Sequence, residues 1–290
     1  MVVRLVGAVI LLVAEAAQAF TVRDMRAQEV VLAGRPERIV SLVPSVTEDL
    51  FAVGGEDRLV GVTDFCDWPP AARDKPRVGG MVGPNLETIV ALRPDLVIAT
   101  DEGNSQSTFD QLARLGVPVY VVRARRLEQA IEVLDRMGEL TGRTAAVAPL
   151  VERLRARVRR VVEAVRSHGR RRVLYVLWAD PIIVPGRDGL VTELVTLAGG
   201  ISVTAGASGA YPRLGLEAVV ALNPDVIVLA RHGGDQTPVL RATWERLAAL
   251  PAIRAGRVHA VDGSILHRYG PRVVDGLEAL ARIIHPEARF

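Results

Sequence analysis

One stretch of this chain occurs twice. Residues 85–100 read NLETIVALRPDLVIAT, and residues 215–230 read GLEAVVALNPDVIVLA. Leu86, Glu87, Val90, Ala91, Leu92, Pro94 and Asp95 recur as Leu216, Glu217, Val220, Ala221, Leu222, Pro224 and Asp225. Each copy parses in the same way. A short amphipathic helix stops at a proline, which cannot continue it and biases its predecessor away from the right-handed helical region. The aspartate follows in a turn. Then comes a continuous apolar run, Leu96–Ala99 or Val226–Ala230, the pattern of a strand buried on both faces. Two helix–turn–strand units about 130 residues apart predict two similar α/β lobes with parallel sheets.

The remaining segments fit that frame. Residues 21–34 alternate around Asp24-Met25-Arg26 and predict a hairpin. Ile39–Val43 predicts a strand, and Ser45 and Glu48 have capping-box spacing at the start of the next helix. Leu59–Val62 is a strand ahead of the loop Thr63 to Pro70. Thr108–Leu115 and Leu127–Leu140 are expected helices, with a strand at Val117–Val122 between them. From Ala145 to Ser167, apolar residues recur at helical spacing and arginines fill much of the rest, predicting one helix with a solvated basic face. Over twenty residues at 1.5 Å each gives roughly 30 Å, enough to bridge two lobes stiffly. The second lobe repeats the order: a strand at Val173–Leu177, a helix from Thr192-Glu193 to Gly199-Gly200, then the second repeat copy. A helix at Pro238–Leu250 carrying Trp244, a strand at Arg257–Val261 and a helix at Val273–Ile284 follow.

Composition narrows the function. A net charge of +3 spread over 290 residues is too mild for a nucleic-acid surface. The single Cys66 excludes an internal disulfide and a cysteine-based zinc site. At the N-terminus, Arg4, the apolar run Val6–Val13 and Ala17-Gln18-Ala19 have the form of an export signal cleaved near Ala19. The apolar run is too short for a permanent span. A mature, exported, soluble chain beginning at Phe20 is expected.

No catalytic constellation emerges. There is no G-x-S-x-G elbow, no Walker A loop and no G-x-G-x-x-G. The five histidines are scattered without metal-ligand pairing, so no catalytic residue and no metal site are expected. An α/β enzyme with an inter-lobe active site is the alternative from another class. What remains is position: open parallel sheets bind ligands beyond the carboxyl ends of their strands. The loops there offer Ser45, Phe65, Asp67, Trp68, Met81 and Thr100 in the first lobe. In the second they offer Trp178, Tyr211, Ser264, His267, Arg268 and Tyr269. Aromatic faces with a few polar groups suit a large, partly planar ligand. Glu87 and Glu217 open their helices at matched positions. They either complement the helix dipole locally, or present two equal anions to a two-fold symmetric partner.

RIVSLVPSVTE (38–48), VGVTDFCDWPP (60–70), RVGG (77–80), both repeat copies and YGPRVVDGLEALARIIHPE (269–287) follow one another in this order. Over residues 35–288 the chain resembles the helical-backbone metal-receptor class of substrate-binding proteins for ABC importers. That class includes cobalamin, haem and ferric-siderophore binders. The resemblance implies two Rossmann-like lobes joined by one long rigid α-helix, with the ligand clamped in the cleft between them. It also implies that Glu87 and Glu217 dock on arginines of a permease dimer in the inner membrane. Phe65 to Pro69 and Tyr211 resemble the cobalamin branch, although Met81 and Thr100 stand where that branch has large aromatics. The turn at Gly80-Met81 lacks the tyrosine typical of haem binders. The Arg268 and Arg272 region is a possible contact for an anionic ferric siderophore. The expected layout is a signal peptide at 1–19, an N-terminal lobe at 20–125, a helical region with the inter-lobe helix at 126–168 and a C-terminal lobe at 169–290. The expected protein is a periplasmic monomer without its own cofactor, and its ligand is a small-molecule metal chelate.

Overall fold

The computed structural model describes residues 19–232, Trp244 and 247–290. All but the last residue of the expected signal segment, and most of the helix expected at Pro238–Leu250, lie outside the described residues. Strands β1 (Phe20–Arg23) and β2 (Glu29–Leu32) form the expected antiparallel hairpin. The first lobe continues with β3 (Ile39–Ser41), α1 (Pro44–Ala52), β4 (Leu59–Val62), α2 (Leu86–Ala91), β5 (Leu96–Thr100), α3 (Gln106–Arg114) and β6 (Val119–Val122). Helices α4 (Leu127–Thr141) and α5 (Thr144–Val165) follow. The second lobe runs β7 (Arg171–Val176), β8 (Trp178–Ala179), β9 (Ile182–Ile183), α6 (Leu190–Leu197), β10 (Gly200–Ser202), β11 (Arg213–Leu214), α7 (Leu216–Leu222), β12 (Val226–Arg231) and β13 (Val258–Asp262). A closing helix spans Val273–Ile284.

The two large sheets have one topology. Their orders are β4-β3-β5-β6 and β10-β7-β12-β13, and every pairing in both is parallel. Each repeat copy supplies the third strand. Both faces of that strand are buried, as its unbroken apolar run requires. Leu96 and Ile98 face one core while Val97 and Ala99 face another. In the second copy, Val226, Val228 and Ala230 join the same core as Leu96, and Ile227 and Leu229 face the opposite way. The inner faces of the two sheets thus share one continuous core with α4, α5 and the closing helix.

The joint between helix and strand is built twice from the same parts. Arg93 and Asn223, the residues before the prolines, take left-handed φ values of 46° and 42°. This position reverses the chain tightly and leaves Asp95 and Asp225 facing a neighbouring strand. Asp95 accepts the backbone N–H groups of Glu37 and Arg38, at 2.8 and 3.0 Å. Asp225 accepts that of Arg172 at 2.8 Å. The guanidinium groups of Arg38 and Arg172 donate to the last helix carbonyls, Leu92 O and Leu222 O, at 2.7 and 2.8 Å. Each aspartate therefore ties the turn to the first strand of its own sheet, β3 or β7.

Two expectations are corrected. Helix α1 begins at Pro44 with Val43 at its N-cap, so Ser45 and Glu48 do not form a capping box. Proline at the first position has no N–H to be capped and starts the helix upstream of the serine. The arginines of α5 are not all a solvated face. Arg155 pairs with Glu128 and Asp135 on α4 at 2.6 and 3.8 Å. Arg157 pairs with Asp275 and Glu278 on the closing helix at 2.5 and 2.8 Å. Helix α5 also buries Val147, Val151, Leu154, Val161 and Val165, and so is fixed along its length to both halves.

Candidate functional site

The carboxyl ends of both sheets face a cleft between the lobes. One hollow of about 360 Å³ is walled by Asp101, Glu102 and Arg125 from the first lobe and by Asp188, Tyr211 and Tyr269 from the second. It shares His267 with a second hollow of about 590 Å³, and Arg125 and Asp188 with a third of about 620 Å³. The space is continuous in its walls and large enough for a sizeable ligand.

Exposed aromatics lie on the loops and short strands near the cleft, and of these Tyr211 lines the first hollow. Phe65 and Trp68 lie on the loop after β4, Trp178 on β8 and Tyr211 just before β11. All four keep more than two-fifths of their surface open, which for large apolar rings marks a binding face rather than core. Trp178 donates its indole N–H to Asp180 O at 2.8 Å and lies beside His232, ring centres 5.7 Å apart. Arg272 places its guanidinium 4.6 Å from the centre of the Trp68 ring, a cation–π contact across the lobes.

Most charged groups here are already paired. Arg123 pairs with Asp101, and Arg125 with Glu102 at 3.3 Å. Arg268 reaches across the lobes to Asp67 at 2.5 Å, to Glu48 at 3.4 Å and to the carbonyl of Phe65. Desolvation opposes ionisation of Asp67, but the Arg268 hydrogen bond and charge prevail and hold its carboxyl below the usual range. Arg272 forks onto Glu48, at 2.8 Å through Nε and 2.6 Å through Nη2. Arg268 lines the second hollow, and both arginines, expected to meet an anionic ligand, are paired within the protein here. Their charges are spent on the almost fully buried Glu48 and on Asp67, and freeing them would strand a buried carboxylate.

The other expected residues fall into two groups. Met81 is half-buried, with its carbonyl accepting Asn104 Nδ2 at 2.7 Å. Ser264 and His267 line the second hollow. The His267 ring receives or donates a hydrogen bond at Nε2 to the Tyr175 hydroxyl, 2.8 Å away, and stacks on His232 at 5.0 Å. Burial first, and the neighbouring His232 second, push its pKa down to about 3, so it is neutral at physiological pH. Ser45 and Thr100 lie below the cleft surface, each 1% exposed. Thr100 accepts the Tyr269 hydroxyl at 2.8 Å across the lobes, so this pair helps seal the cleft floor.

Asp101, Glu102, Arg125, Asp188 and His232 were not among the expected residues. Four of them had a signal: Asp101, Glu102, Arg125 and His232 lie within three residues of the ends of β5, β6 and β12. Asp188 comes from the irregular segment before α6, where periodicity is silent. Glu87 and Glu217 are both exposed at the start of α2 and α7, and neither lines these hollows. Among the described residues, no group of three or more His, Cys, Asp or Glu could hold a metal ion. No described helix is long and apolar enough to cross a membrane.

The comparisons agree with this architecture. The vitamin B12-binding protein of Vibrio cholerae is 30% identical over 242 residues, covering 83% of this chain and 87% of that one. An uncharacterized ABC transporter substrate-binding lipoprotein of Bacillus subtilis, YvrC, is 30% identical over 274 residues, covering 92% and 86%. Among solved structures, a periplasmic heme binding protein from Pseudomonas aeruginosa has a TM-score of 0.78 at 30% identity, covering 88% of this chain and 94% of its own. The family model described as periplasmic binding protein matches residues 39–264. With the paired parallel sheets and the cleft between them, that match makes the chain a member of the periplasmic binding protein family.

Proposed function

We propose that the chain is an exported receptor that captures cobalamin or a related corrinoid in the inter-lobe cleft and delivers it to the permease of an ABC importer. The observation that carries this reading is the combination of open aromatic faces with charges already neutralised inside the protein. Phe65, Trp68, Trp178 and Tyr211 are open, while Asp101–Arg123, Glu102–Arg125 and Asp67–Arg268 are closed pairs. Such walls suit a large ring whose periphery is mostly amide. They offer little to the carboxylates of haem or of an anionic siderophore complex. The names of the relatives support both the corrinoid reading and a haem reading.

Tyr211 is one exposed group of the cleft that could ligate a haem iron. Desolvation and then the Glu102 carboxylate raise its hydroxyl pKa, which disfavours the phenolate in the absence of a metal. Titration of the chain from Phe20 onward with cyanocobalamin, haemin and a ferric siderophore, followed by native mass spectrometry and absorption spectroscopy, tests the reading. A one-to-one corrinoid complex is expected. Haemin binding lost on Tyr211→Phe, with no corrinoid complex, overturns it, as does chemical turnover of the bound ligand.

Delivery rests on the repeat. Glu87 has exposed Val90 one turn on, and Glu217 has exposed Val220 at the same offset. Two identical acid-plus-valine faces, one per lobe, fit a two-fold symmetric partner carrying arginines. Rim charges act mainly on association and orientation, and two linked contacts gain from effective concentration. Glu87→Arg and Glu217→Arg are expected to leave ligand affinity unchanged and to impair uptake, the double variant most. Normal uptake by the double variant excludes this docking role.

The layout proposed for this role is export by residues 1–19, lobes at 20–125 and 169–290, and a helical region at 126–168 between them. The receptor acts as a monomer in the periplasm.

A further inference from the structure

Glu48 and Glu193 occupy matched places. Each follows a threonine near the start of the helix after the first sheet strand, in α1 and α6. Each threonine hydroxyl bonds a carbonyl upstream, Thr47 to Val43 O and Thr192 to Gly186 O. Each glutamate then leaves its own lobe. Glu48 meets Arg272, the N-cap of the closing helix, in the second half. Glu193 accepts the backbone N–H of Leu127, the first residue of α4, at 2.7 Å, with Arg126 at 3.6 Å. Helix α4 packs on α1 of the first lobe. Thus each lobe sends one carboxylate out of itself to the N-terminus of a helix, Glu48 to the closing helix and Glu193 to α4, which packs on the first lobe, where an anion complements the helix dipole.

We propose that Glu48 and Glu193 form a reciprocal clasp that fixes the spacing of the two lobes before any ligand arrives. We assign Arg272, held by Glu48, as the positioning residue for Trp68 at the cleft mouth. A single link between two bodies permits rotation about it. Two links at matched places in the two lobes, made to different helices, remove that freedom. The Glu48 link is the stronger, because its side chain is 1% exposed and accepts a two-pronged guanidinium. The Glu193 link is half as many bonds and 24% exposed on the acid side, so it yields first. Because Arg272 spans Glu48 and the Trp68 ring, the same link that sets the spacing also sets the ring's angle. Trp68's role rests on the cleft being the ligand site proposed above; the spacing of the lobes does not.

The test uses ligand-free protein. Nitroxide labels at Gln106→Cys in the first lobe and Arg254→Cys in the second, both exposed, report the lobe separation by electron–electron resonance; the buried Cys66 stays in place. The parent protein is expected to give one narrow distance. Glu193→Gln and Arg272→Gln are each expected to broaden it, the pair together about twofold, since coupled contacts fail together. Arg272→Lys keeps the charge but not the fork, and should restore spacing only in part. Unchanged widths in folded single and double variants overturn the clasp. In the same variants, acrylamide quenching of the emission lost on Trp68→Phe should rise for Arg272→Gln and not for Glu193→Gln. Equal quenching in both overturns the positioning role. Neither readout involves a ligand, so failure of the corrinoid reading leaves both outcomes interpretable.

Discussion

The two lobes build the same sheet and different walls. In the first, Ser41 ends β3 and Pro44 starts α1, with nothing between them to cover the cleft. In the second, β7 and α6 are separated by β8, β9 and the turn to Gly189, and β11 joins them in a small antiparallel sheet. Trp178 and Tyr211 owe their positions to this insertion. In the first lobe the aromatic wall comes instead from the long loop after β4, which carries Phe65 and Trp68. Met81 and Tyr211 stand at equal distances before Glu87 and Glu217, yet only Tyr211 is an exposed aromatic. The frame is held by burial on both faces of a strand, which tolerates only aliphatic exchange. The walls have no such constraint and are free to diverge toward a ligand that lacks the protein's internal symmetry.

If the frame is one unit, injury to either lobe should be felt by both. Leu134 on α4 and Leu277 on the closing helix are fully buried in the shared core. Leu134→Ala and Leu277→Ala should each cost about 2–5 kcal/mol and give a single unfolding transition in calorimetry. Two separated transitions would show that the lobes are energetically independent.

Acid should act through the second lobe. The His267 pKa is about 3 in the folded chain against about 6.5 unfolded, so below pH 6.5 the unfolded state binds the proton first. Stability from this group is complete above about pH 6.5 and is lost progressively as pH falls toward 3. His267→Gln should flatten the thermal-stability profile between those limits, and an unchanged slope assigns acid sensitivity elsewhere.

The walls should be less costly to alter than the frame. Tyr211→Ala is expected to leave the melting temperature unchanged and weaken ligand binding. Trp68→Ala should weaken binding and also lose about 0.5–1 kcal/mol of stability, because Arg272 packs on its ring. Equal stability losses would mean that the cation–π contact contributes nothing.

The smallest effect sharpens the comparison most. Asn223 tolerates its left-handed turn better than Arg93 does at the same joint. Arg93→Asn should raise stability by a few tenths to about 1 kcal/mol, while Asn223→Arg should lower it by a similar amount.

This contrast also explains what the sequence disclosed. The repeat, the parallel sheets and the long helix were legible because each follows from periodicity and punctuation within a few residues. Phe65, Trp68, Trp178 and Tyr211 could be placed at the cleft by the strand-end rule. Glu48 could not be assigned, because its partners Arg268 and Arg272 lie over two hundred residues away. Its spacing from Ser45 suggested a local cap, and the proline before that serine overruled it. Arg155 and Arg157 looked like surface charge for the same reason: a helix face reads as exposed until the helix it faces is known.

Helix α5 grips α4 through Arg155 and the closing helix through Arg157, two residues further on. If that strut, fastened in both directions, holds the lobes as firmly with cargo as without, the outer contour of the molecule stays nearly the same. A membrane partner that senses only that contour has no basis for preferring one form, since a ligand shifts an equilibrium only by its differential affinity. On that footing unladen receptor would compete with laden receptor for the same importer. Uptake would be greatest not when the receptor is most abundant but when it is most nearly saturated, and overproducing the protein in scarcity would slow the import it serves.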